Sequence, residues 1–146
     1  MKWRKDDFIP ANEITDKITN ASVEFAKRFG SHLGTDDTFF DEKSQKNKTA
    51  RAKLTTTQLR KFFGEVKRQQ LRGYNATDFI LLKPKLAYAV GRVKDANAKI
   101  NDFYFVIADA IDKVKNADDF KRFIKIFEAI VAFHRAAEDS NLIDEN

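Results

Sequence analysis

Between Lys53 and Arg72 the chain reads KLTTTQLRKFFGEVKRQQLR, and its apolar residues recur at intervals of three and four. At roughly 100° per residue, Leu59, Phe62, Phe63, Val66 and Gln70 fall on one stripe of a helix, a placement no strand reproduces. Thr55, Thr56 and Thr57 precede that stripe with hydroxyls suited to the free N–H groups of a first turn. Arg60, Lys61, Gly64, Lys67 and Arg68 take the opposite face, and Glu65 is the only acid of the stretch. The segment is predicted to be a helix with one side in a core and a cationic side facing out.

The same spacing repeats along the chain. Ile14, Ile18, Ala21, Phe25 and Phe29 predict a first helix from about Asn12 to Phe29, closed by Gly30 and Gly34. Ser31–Ala52 has little apolar periodicity and is expected to be a long loop whose second half (Lys43, Lys46, Lys48, Arg51) is basic. Asn75 or Thr77 is placed to cap a short helix containing Phe79, Leu81 and Leu82. Pro84 suits the first position of a further helix, with Leu86, Val90, Val93 and Asn97 inward and Lys85, Tyr88 and Arg92 on another side. From a cap at Asn101, Phe103, Val106, Ile107, Ala110, Ile111 and Val114 mark another amphipathic helix. Asn116–Asp119 makes a turn, and Phe120, Phe123, Ile124, Phe127, Ile130, Val131 and His134 trace a last one.

The expected fold is therefore all-α, a compact bundle of about five helices plus one short helix, with no hairpin signature. One domain suits 146 residues. Within it, residues 1–52 supply an arm, the first helix and the basic loop, residues 53–138 the helical core, and residues 139–146 an acidic tail.

Several chemistries have no candidates. Without cysteine there is no disulfide, thiolate metal site or thiol nucleophile. His32 and His134 lack a second histidine or a carboxylate at ligand spacing, so no metal is expected, and His134 reads as a packed, hydrogen-bonded core residue. The five glycines form neither GxGxxG nor GxxxxGK[ST]. Asp118-Asp119 and Glu138-Asp139 are sequence neighbours that point apart on a helix, a poor start for paired acid–base work. No catalytic group and no cofactor is assigned. No apolar run is long enough to span a membrane, and the chain reads as cytoplasmic.

Net charge is +5, unevenly spread. Lys43–Arg72 holds ten cations against one acid, and Lys83–Lys99 five against one. Concentration of this kind marks a polyanion-binding face, although charged outer faces are also ordinary in helical proteins. The candidates are Arg51, Lys53, Arg60, Lys61, Lys67, Arg68, Lys83, Lys85 and Arg92, with Tyr88 able to stack a base or donate to a phosphate.

LTTTQLRKFFGEV, LKPKLAYAVGR and FKRFIKIFEAIVAFHR, in that order and separation, resemble the small all-helical subunit of type III-A CRISPR effector complexes, the Csm small subunit. The resemblance covers roughly Lys53 to Arg135, and residues 1–52 carry little of it. It implies a non-enzymatic protein, several copies of which stack head to tail as an inner filament with the other subunits and hold the backbone of guide and target RNA. Matching positions implied to touch RNA are Arg60 and Lys61 in the first block, Lys83, Lys85 and Arg92 in the second, and Arg122 and Lys125 in the third. The alternative is a helical protein–protein adaptor whose basic face meets an acidic partner.

Overall fold

The computed structural model describes Ile9 and residues 11–139; the expected arm and acidic tail otherwise lie outside these. Among the described residues are seven helices and one hairpin: α1 (Ala11–Thr15), α2 (Asn20–Leu33), β1 (Asp37–Asp41), β2 (Lys46–Arg51), α3 (Thr56–Arg72), α4 (Ala76–Ile80), α5 (Leu82–Val93), α6 (Ile100–Lys113) and α7 (Ala117–Asp139). The fold is mostly helical, as expected. Its centre is α7, along which α2 lies, with α1, α3 and α6 against it and α4 and α5 on α6.

The expected first helix is two helices. Glu13, 3% exposed, accepts from the hydroxyls of Thr19 and Ser22. Thr19 in turn caps α2, in a reciprocal box with Ser22. Side-chain bonds of this kind compete with the helical backbone and break it at Asp16–Thr19. Gly30 does not end α2 but lies within it. A Cβ there would sit 2.7 Å from the Ile130 carbonyl and 2.8 Å from the His134 nitrogen. Its role is close approach of α2 to α7, and the cap is Gly34.

The expected loop contains an antiparallel hairpin. Phe39 pairs with Lys48 and Phe40 with Asn47, with an irregularity beside Asp37. The strands are solvent-exposed on both faces apart from their ends, so no alternation of apolar and polar residues records them. Nor does their connection carry glycine; Gln45 takes the left-handed conformation instead, at φ 57°.

The remaining helices follow their stripes closely. Thr55 and Gln58 form the capping box of α3, and Leu59, Phe62 and Val66 are buried. The fourth buried residue is Gln69, which donates to the Asp78 carbonyl, whereas Gln70 is exposed. Asn75 caps α4. Pro84 is the third residue of α5 rather than the first, still within the turn whose N–H groups lack helical partners. Leu82 and Leu86 carry its buried face, and Asn97 is exposed beyond its end. Asn101 lies inside α6, where its side chain donates to the Asp95 and Ala98 carbonyls. Every residue of the expected α6 stripe is buried. Phe62, Phe103, Phe123 and Phe127 pack ring against ring at centroid distances of 5.5 to 6.0 Å, joining α3, α6 and α7.

Candidate nucleic-acid interface

Helix α3 runs between two neighbours and presents two flanks. On one, Phe63 packs on Phe127 and Lys67 reaches Glu128 of α7 at 2.8 Å. On the other, Lys61 and Glu65 face α5 across a groove of about 480 Å³, which Lys85, Tyr88 and Arg92 line from the far side. Arg60 and Gly64 are exposed between the flanks.

The groove assembles four of the expected residues, because Lys85, Tyr88 and Arg92 recur on one side of α5 just as Lys61 does on α3. Lys61 and Arg92 have no acidic partner among the described residues, nor has Arg60. The guanidinium of Arg92 lies 5.9 Å from the centre of the Tyr88 ring, which is 70% exposed. Glu65 accepts from Lys85 at 2.9 Å and also binds Arg68. The Lys85 hydrogen bond, opposed by burial, holds the Glu65 carboxyl below its ordinary value. Sequence reasoning set Glu65 aside as a lone acid. Its partner twenty residues away belongs to another helix, and only packing reveals the pair. The apolar floor is not legible in the sequence, since Phe62, Leu86 and Phe103 read individually as core and Leu54 precedes the first stripe.

Other candidates lie elsewhere. Lys83 pairs with Asp112 of α6 at 2.7 Å, and Lys53 with Glu138 at 3.6 Å. Burial raises the Glu138 carboxyl, but the Thr56 hydroxyl, His134 and Lys53 together leave it below its ordinary value. Arg122 donates to the Ile14 and Thr15 carbonyls and binds Asp119, fastening α1 to α7. Lys125 is exposed beside Lys121 and Lys17, at a separate recess between α7 and the α1–α2 turn.

Arg51 requires a correction. It is buried, donates to the Asn97 carbonyl at 2.8 Å and pairs with Asp102 at 2.9 Å. Asp102 also meets His32 at 2.7 Å, while Lys99, 1% exposed, reaches the His32 and Thr35 carbonyls and Asp37. Arg51 is thus one post of a buried cluster that holds the hairpin to the bundle, and it is withdrawn from the outer face. His134 is buried, as expected, and bonds the Leu54 carbonyl at 2.6 Å.

With the geometry in place, comparison with known families is decisive. The family model for Csm2 Type III-A matches residues 38–140, well over half of the chain. The chain belongs to this family. As a Csm2-family protein it is a small subunit of a type III-A CRISPR effector complex, and the family is a non-catalytic one. The match begins in the hairpin, fifteen residues before the resemblance seen in the sequence, and leaves out α1 and α2. No curated protein and no solved structure matches. No helix among the described residues is long and apolar enough to cross a membrane.

Proposed function

We propose that this Csm2-family chain is a cytoplasmic, non-catalytic subunit of the inner filament, which holds the sugar–phosphate backbone of guide and target RNA along α3 and α5. One observation carries the reading: Lys61 and Arg92, without acidic partners among the described residues, meet across one groove and flank Tyr88. Guide pairing supplies sequence specificity in RNA-guided complexes, so a filament subunit needs only backbone contacts, which cations provide. Arg60 on the exposed crest continues the charge, and Lys85 and Arg68 stay exposed while shared with Glu65.

Gly64 and Gly91 support close approach. Gly64 is at the middle of α3 and Gly91 in the last turn of α5; both are exposed, and a Cβ at either would touch nothing within 4 Å. A helical glycine costs about 1 kcal/mol relative to alanine, and no neighbour inside this fold requires it.

Head-to-tail stacking needs two unlike patches, because such a contact is heterologous. Exposed apolar residues suited to it are Phe39 and Phe40 on the hairpin, and Ile80 and Leu81 where α4 meets α5. The last helix offers less: Phe120, Phe123 and Phe127 are spent in the core.

The test is RNA binding by the chain alone and in the assembled complex, across a series of salt concentrations. Sequence-independent affinity should fall steeply and log-linearly with salt. Absence of RNA affinity at low salt in both settings, with nuclease-resistant capture of an acidic protein, would instead establish the adaptor reading.

A further inference from the structure

The groove between α3 and α5 has a feature that backbone binding does not use. Phosphates are held by charges on any surface, yet this rim of cations surrounds an apolar floor. Leu54, Phe62, Leu86 and Phe103 are each at most 8% exposed and line its base. Its volume of about 480 Å³ lies in the range of small-molecule sites. Above the floor stands Tyr88, one of the most exposed large hydrophobic residues among those described, with Arg92 over its ring. An occupant that fits must pair a flat, largely apolar body with an anionic group at its edge.

We propose that the groove seats one unstacked nucleobase of the bound strand, lying against Tyr88 with its phosphate between Lys61 and Arg92. The inference rests on the RNA-binding reading and deepens it: the subunit grips a base as well as tracking phosphates. An apolar protein side chain would cover the floor equally well, but it brings no anion, and it would leave Lys61 and Arg92 without partners beside it. Because Glu65 already offsets Lys85, the positive charge remaining at the rim is that of Lys61 and Arg92. Recognition is indifferent to base identity, since every base has a π-face to stack.

The experiment compares a short single-stranded RNA with an abasic strand of equal length, by fluorescence anisotropy at fixed low salt on the full chain. The base-bearing strand should bind about tenfold more tightly, the value of a stacked base. In Tyr88→Ala that ratio should fall close to one, with the salt slope unchanged. Ala89→Leu, which fills the groove from an exposed position without altering charge or adding a ring to stack on, should do the same. Equal binding of the two strands by the unaltered chain, or a ratio that survives both substitutions, overturns this inference alone. Binding of neither strand, by the chain alone and by the assembled complex, overturns the RNA reading and this inference with it.

Discussion

The cations around the α3–α5 groove and those at the foot of the hairpin are the same residue types put to opposite uses. At the hairpin foot, Arg51 and Lys99 are buried, and each is met by a carboxylate and by backbone carbonyls. Removing such charges from water is expensive, so every one of them has its partners. In the groove, Lys61 and Arg92 are exposed and have no carboxylate partner among the described residues. A cation satisfied inside its own fold has nothing left for a ligand. The difference teaches that charge counted along a sequence overstates the charge available to a polyanion, here by Arg51, Lys99 and Arg122 at least.

The contrast breaks most visibly at Asp102. Asp102→Ala removes the carboxylate that Arg51 and His32 share, and urea denaturation should show a loss of about 3–5 kcal/mol, the cost of breaking a buried ion pair from one side. Lys61→Ala, by the same measurement, should change stability by at most about 0.5 kcal/mol. Similar losses at both positions would erase the distinction between the two regions.

The reverse result is expected for RNA. The double variant Lys61→Ala, Arg92→Ala should reduce the slope of log affinity against log salt by about one per lost contact. Arg51→Lys, which retains the buried charge, should leave that slope unaltered; a change there would return Arg51 to the interface. Gly64→Ala sharpens the point on the crest. It should stabilise the helix by about 1 kcal/mol or less while weakening RNA binding, so a variant that gains stability and binds as before would remove the close-approach argument.

The smallest effect is a pH dependence confined to the hairpin foot. Burial pushes the His32 pKa below its ordinary 6.5, and the positive charges of Lys99 and Arg51 push the same way, against the hydrogen bond and charge of Asp102. The unfolded chain therefore accepts a proton that the folded one resists. Stability should be full above pH 6.5 and decline as pH falls below it. His32→Gln should flatten that decline. The acidic limb is separate: Asp37, raised by burial but lowered more by Lys99, gives stability that is present above its ordinary value of 3.8 and lost as pH drops further.

What the sequence discloses follows from the range of each interaction. The α3, α6 and α7 stripes are legible because three- and four-residue spacing is a local signal that the core then uses. Lys61, Lys85, Tyr88 and Arg92 could be placed on helix faces, and the faces meet. The hairpin was not legible, since Phe39 and Phe40 stand side by side among polar residues and neither strand has a buried face to impose period two. Nor was the fate of Arg51, whose partner Asp102 lies on α6 and is sequence-distant. Whether a given cation is spent is a property of packing.

The backbone contact at Gly30 also has a bearing on how the chain can be shortened. α2 precedes the family-matched region, yet its Phe25, Phe29 and Leu33 belong to the same core as Ile130 and Phe127. A protein trimmed to residues 38–140 would bare the flank of its longest helix to solvent. The boundary drawn by family likeness is thus not a boundary at which this molecule can be cut.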